Sequence, residues 1–346
     1  MALDVEYMTR VTCDLCRIPS PTGYTHLAVA KVQELVGELG LDVVVTNKGS
    51  VVIRLPGPDQ EPGRMLSAHV DTLGAMVKEI KGNGRLRLSL IGGFDWSTIE
   101  GEYCLVHPAN ADPISGTILT TKASFHVYGS ALTELTRNAD SIEVRLDALV
   151  SSVDEVRAIG IAVGDFVSLD PRTTVTSSGH IKSRHLDDKA CVAIALGVAK
   201  EVVESGDQLP APAWIYVSVF EEVGHGTSAG IPENVRDVIA VDMAAVGSGQ
   251  TSDERAVTIC TKDSSGPYHY GLTRELIDLA RRDSLDYRTD IYPYYGSDVS
   301  QALRAGYDIR GALVGPGVDA SHSFERLHKD SLLETAKLLT AWLREP

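Results

Sequence analysis

The sequence predicts an α/β protein: a mostly parallel sheet flanked by helices, interrupted by a small inserted β-rich domain. Three observations carry this expectation. Apolar strand-like runs alternate with helical stretches near the start of the chain and again after residue 185, the pattern of a parallel sheet covered on both faces. From about 73 to 175 the texture changes to short β-like runs punctuated by Gly and Pro. The 346 residues, 43% of them hydrophobic, are enough for two domains and a sizeable core. The expected division is 1–72 with 176–346 for the main α/β domain and 73–175 for the insertion.

Each element has its own signal. Residues 4–17 and 25–40 read as helices, the second with apolar positions at helical spacing and a stop at Gly40. The turn-rich IPSPTGY lies between them. DVVVTNKGSVVIRL gives two strands joined by a turn at 47–49, and RMLSAHVD is a short apolar strand with a polar end. Inside the insertion the runs RLRLSLI, GTILTTKASFHV, SIEVRLDA and DFVSLD read as strands, and SSVDEVRAIG as a helix. Beyond it come a helix over 187–203, strands at AWIYVSVF and DVIAVD, helices near 271–283 and 297–305, a strand at YDIRGALV and a closing helix at 330–343.

The formal net charge of −15 disfavours nucleic acid and anionic membrane as partners. MALDVEYMTR lacks the basic-then-apolar pattern of a signal peptide. ACVAIALGVA, the most apolar helical stretch, is too short to span a bilayer. A cytoplasmic protein is the expectation. Five scattered cysteines do not make a disulfide framework. Cys13 and Cys16 lack the second ligand pair of a zinc site and read as buried apolar residues.

HLDDK (185–189) sets two like charges side by side before an apolar helix. Carboxylates favour the positive end of a helix, which would explain one of them. Ligand-type residues also recur at the carboxyl ends of the expected strands, where α/β proteins place their sites. These are His69 and Asp71 in AHVD, Glu221 and Glu222 in VFEE, and Asp242 in AVD, with His322 in a late loop. Gathered carboxylates repel one another and resist ionisation, and divalent cations remove that cost. Two imidazoles with several carboxylates suit zinc, cobalt or manganese. Asp71 can accept the proton on the far nitrogen of His69 and orient the ring. In the Glu221–Glu222 pair, one residue can bind metal while the other accepts a proton from water.

In this order the residues resemble the co-catalytic metallo-aminopeptidases of the glutamyl/deblocking family, whose members form large tetrahedral particles. IPSPTG, AHVDTLG, IGGFD, GIAVGDFV, RHLDDK, FEEVG, AVDMA and SHSFE carry the resemblance over nearly the whole chain. It implies a zinc-aminopeptidase-like catalytic domain with the β-rich insertion used for assembly. It also implies two divalent ions per subunit, zinc first, with cobalt or manganese as alternatives. His69 and Asp242 would hold one ion, Glu222 and His322 the other, and Asp187 would bridge them. Glu221 would be general base and acid, Asp71 would orient His69, and Asp188 would support. The implied activity removes N-terminal residues from short peptides through a hydroxide lying between the ions. The implied partners are copies of the same chain: dimers that build a larger particle, up to a dodecamer.

The sequence departs from the commoner pattern at Thr72, at residues 225–227 (HGT) and at Lys189 in DDK. HVDTLGAMVKEIK, SRHLDDKA, DSSGP and GVDASHSFERLH are closer to a divergent branch associated with synthesis of an acetylated glutamine dipeptide osmolyte. Charged residues are common at Thr72 and at 225–227 in relatives, so neutral or amide-bearing substrates are expected over glutamyl ones. An amidase or deacylase acting on a small modified dipeptide or a non-peptide amide would use the same metals. A non-catalytic binding or assembly protein would not need Glu221 and every ligand, all of which are present. A glycosidase would need two carboxylates and would leave both histidines without a task.

Overall fold

A computed structural model describes residues 3–59 and 62–346. The chain divides into two units, one of Met1–Asp71 with Arg172–Pro346 and one of Thr72–Pro171. Thr174–Val175, inside the span read as insertion, pair with His180–Ser183 and belong to the first unit.

The first unit is built on a 13-stranded sheet. At its centre Ala213–Ser218, Gly63–His69, Val235–Val241 and Arg310–Asp319 lie side by side and parallel. Antiparallel strands extend the sheet: Val51–Leu55 pairs with Ala213–Ser218, and Val257–Asp263 with Arg310–Asp319. The four central strands are buried along nearly their whole length, without alternation, because both faces are covered. Ile215, Val217, Leu66, Ile239, Val241 and Val314 enter one core cluster. Trp214, Tyr216, Met65, Val238, Ala240 and Leu313 enter another. The period of two along a strand divides them. Each fully buried aliphatic side chain contributes about 1.5–3 kcal/mol.

Helices Val5–Cys16, Leu186–Ser205 and Lys329–Arg344 supply the first of these clusters. Leu186–Ser205 is buried on every side through residues 186–199, as its apolar run requires. Asp187 and Asp188 have non-helical backbone angles, and the peptide between them is cis. The regular helix therefore starts after the acidic pair, so neither carboxylate is an ordinary first-turn residue. All five cysteines are buried and unpaired. Among the described residues no helix is long and apolar enough to cross a membrane.

The second unit is a closed barrel of six strands in the order Gly74–Ile80, Leu86–Ile91, Ile142–Leu146, Ile114–Thr120, Tyr103–His107 and Phe166–Leu169. Val77, Leu88, Val106, Ile118, Val144 and Val167 fill its core. GTILTTKASFHV, read as one strand, is a strand only to Thr120. Phe125–Tyr128 is a helical turn with Phe125 and Val127 exposed. Burial, not β-propensity, limits the strand.

Candidate metal centre

The parallel order of the central strands sends their carboxyl ends to one edge of the sheet. His69 ends its strand directly opposite Ser218. Glu221 and Glu222 follow Ser218 in a short 3₁₀ turn. Asp242 follows the strand Val235–Val241, and its N–H donates to the Val314 carbonyl at 3.1 Å. His322 lies in the loop after Arg310–Asp319, with its backbone in the left-handed region. Asp187 reaches the same edge from the start of its helix.

These side chains converge in two groups. His69, Asp187 and Asp242 offer ligand atoms within 4.8 Å of one another, and so do Asp187, Glu222 and His322. Asp187 is common to both. One of its oxygens lies 3.1 Å from His69 Nε2 and the other 3.3 Å from His322 Nε2. Glu222 Oε2 lies 3.7 Å from His322 Nε2, and Glu221 Oε2 lies 3.9 Å from His69 Nε2.

The electrostatics call for added positive charge. Burial pushes Glu221 well above the carboxylate range, Glu222 up to about 8 and Asp242 up to about 7, with neighbouring carboxylates adding to each. Burial opposes charge on His69 as well, yet Asp187 and Asp71 raise it well above its usual value. Burial also disfavours ionised Asp187, but His322 and His69 hold it low. Glu222 Oε1 is buried and has no hydrogen-bond partner among the described residues. A buried acceptor left unpaired costs about 1–3 kcal/mol. Divalent cations fit this set: they would fill the orphaned oxygen, offset the repulsion and take the N/O donors present.

Asp71 faces His69 through both its main chain and its side chain: His69 Nδ1 lies 2.9 Å from the Asp71 carbonyl and 3.5 Å from its carboxylate. The carboxylate also accepts from Thr22 Oγ1 at 2.6 Å and from the N–H groups of Glu221 and Glu222 at 3.2 and 3.3 Å. It thereby ties the IPSPTG loop to the glutamate turn. Ser20 Oγ and Lys189 Nζ complete the tie, donating to the carbonyls of Val70 and Ile18. Asp188 accepts the His69 N–H at 3.0 Å and joins neither ligand group.

Three supporting residues were missed or underweighted in the sequence. Buried Glu325 accepts the N–H of Asp187 and the N–H of His322, both at 3.1 Å, fixing two ligand-bearing segments with one carboxylate. Its position three residues after His322 was the available signal. Ser297 makes the capping box of its helix, while the Asp298 carboxylate turns away to accept from Ser67 Oγ and the Thr227 N–H. Gln301 donates to Glu221. DSSGP is a hairpin turn in which Asp263 accepts from Tyr268, whose hydroxyl also meets Ser297.

A cavity of about 540 Å³ opens beside the two groups. Its remaining wall includes Met243, Ala245, Gln250 and the 292–296 turn. Residues 225–227, expected to set its charge, do not line it. Gly226 packs where a Cβ would meet Asp298 Oδ1 at 2.1 Å, and Thr227 is fully buried. Lys48 fastens this loop by donating to the carbonyls of His225 and Gly226.

Residues 49–338 match the M42 glutamyl aminopeptidase family. YhfE of Bacillus subtilis (strain 168), whose name assigns it provisionally to the aminopeptidases, is 50% identical over 333 residues, 96% of each chain. The glutamyl aminopeptidase of Lactococcus lactis subsp. cremoris (strain MG1363) is 25% identical over 312 residues, 87% of this chain and 84% of that one. The fold is shared with the Pyrococcus horikoshii TET1 peptidase, described as assembling into a tetrahedron or a large octahedral shell. The TM-score is 0.87 at 21% identity, covering 98% of this chain and all of the other.

Proposed function

The chain belongs to the M42 glutamyl aminopeptidase family and is a peptide-bond hydrolase, and from that premise we propose that it is a two-metal aminopeptidase acting on short peptides. The observation that carries the reading is Asp187, one carboxylate common to two ligand groups. His69 and Asp242 would hold one divalent ion and Glu222 and His322 the other, with Asp187 available to both; zinc is the first choice, with cobalt and manganese as alternatives. When bound, such ions activate water and stabilise charge on a carbonyl oxygen. Glu221, beside the ligands but in neither group, takes a proton from the attacking water and returns it to the amine nitrogen as the C–N bond breaks. Asp71 and Glu325 hold the backbones that carry these side chains.

The cavity favours a neutral N-terminal side chain. None of its described lining residues is Lys or Arg, so a glutamyl carboxylate entering it would find no basic side chain to pair with, and an unpaired charge in a desolvated site is costly. Dimers that build a larger closed particle are the proposed assembly, by likeness to the TET1 peptidase.

The test is a panel of Glu-, Gln-, Leu- and Lys-initiated dipeptides with their N-acylated counterparts, run before and after dialysis against a chelator. Free Leu or Gln dipeptides should give higher kcat/KM than Glu ones. Activity should vanish with the metal and return with zinc, cobalt or manganese. Full activity in protein shown metal-free by elemental analysis would sink the metal reading; cleavage of only the acylated substrates would favour a deacylase.

A further inference from the structure

Glu221 has two carboxylate oxygens, and its neighbours treat them differently. Oε2 faces His69 Nε2 at 3.9 Å. Oε1 accepts from Gln301 Nε2 at 2.6 Å, and the same Nε2 donates to the Glu221 main-chain carbonyl at 3.1 Å. Gln301 Oε1 accepts the Gly226 N–H. Both ends of the amide are therefore engaged, and its orientation is fixed. Turned over, it would set an oxygen against the Glu221 carboxylate and an NH₂ against the Gly226 N–H. Gln301 is buried, on a helix whose first residue, Asp298, is anchored to Ser67 and Thr227. Gly226 must lack a side chain for this contact, since a Cβ would meet Asp298 Oδ1, Ser218 Oγ and Gln301 Oε1 at 2.1, 2.8 and 3.1 Å.

We propose that Gln301 is a positioning residue that selects the working oxygen of Glu221: it occupies Oε1 and leaves Oε2 to exchange the proton. The HGT loop is the other jaw of this clamp, which gives that departure from the family pattern a task. The inference rests on Glu221 as the base. Without the amide donor the carboxylate can rotate, and the oxygen facing the ligands is no longer assured. The loss should fall on the chemical step, and substrate binding and metal binding should persist.

The experiment is a double-mutant cycle of Gln301→Met and Glu221→Gln, with kcat, KM, metal content and thermal midpoint measured for each protein. Gln301→Met alone should lower kcat about 10- to 100-fold, the value of a hydrogen bond to a charged group, with KM and two bound metals unchanged. In the Glu221→Gln background the same substitution should change kcat less than threefold, because the group it positions has gone. Full additivity of the two losses, or loss of metal in Gln301→Met, would overturn the proposal. If Glu221→Gln by itself leaves the rate intact, the base assignment fails instead, and that outcome is read independently of Gln301. Should the Met variant not fold, Gln301→Asn keeps the amide but withdraws it by one methylene. It should show the same kcat-confined loss, and wild-type kcat in a folded Asn variant would also overturn the proposal.

Discussion

At the scale of single residues, the two adjacent glutamates offer the sharpest separation. Glu222 belongs to a ligand group and carries an orphaned oxygen, while Glu221 belongs to neither and is held by Gln301. Glu221→Gln should keep both metals and lose about two to four orders of magnitude in rate. Glu222→Gln should lose metal as well, and elemental analysis decides; metal loss in the first variant alone would reverse the two assignments. The ligand-type residues were legible because strand ends in an alternating α/β pattern announce where polar groups converge. Glu325 and Gln301 were not, because their work is to bond main-chain and carboxylate groups brought close only by folding. Asp71 was legible as a neighbour of His69; that its carboxylate also serves the glutamate turn is something that spacing two residues apart cannot carry.

At the scale of elements, the strand Arg310–Asp319 and the turn holding Asp242 approach closely. A Cβ on Gly315 would lie 1.7 Å from the Asp242 carbonyl oxygen, which is backbone and cannot swing away. Gly315→Ala should therefore push the Asp242 turn off the sheet. It should destabilise the protein by about 1–3 kcal/mol or more and weaken the ion held by His69, Asp187 and Asp242. Thermal unfolding and metal titration together check this; a wild-type response in both would contradict the packing. The major helices were readable from their 3.6-residue period, and Val5–Cys16, Leu186–Ser205 and Lys329–Arg344 fall close to their expected spans. Val257–Asp263 and Tyr287–Ile291 escaped notice because polar residues interrupt them. Among the described residues Tyr287–Ile291 pairs with one strand, Val257–Asp263, and only Asp290 in it is buried, so little burial marks its sequence.

At the scale of the whole molecule, the site shapes stability. In metal-free protein burial holds protons on Glu222 and Glu325 to about 8 and on Asp242 to about 7. Unfolded carboxylates lose theirs near pH 4. Between these limits the folded state binds more protons than the unfolded one, so stability falls as pH rises. His69, raised by its carboxylates, adds to the same trend above about pH 6.5. Asp187, held low, acts in the opposite sense only below about pH 4. The thermal midpoint of chelated protein should thus drop from pH 5 to 8, and added zinc should flatten the slope; a midpoint rising over that range would refute the account. The proposed assembly predicts a species well above the 37.2 kDa chain in light scattering at micromolar concentration, and a clean monomer would exclude it. The two ligand groups draw on positions as distant as 69 and 322. A nascent chain still emerging from the ribosome, with His322 not yet made, holds only part of its second ligand group and has no finished centre. On the proposed two-metal reading, an enzyme that trims free amino ends would thus gain its centre only once nearly all of its own chain has been made.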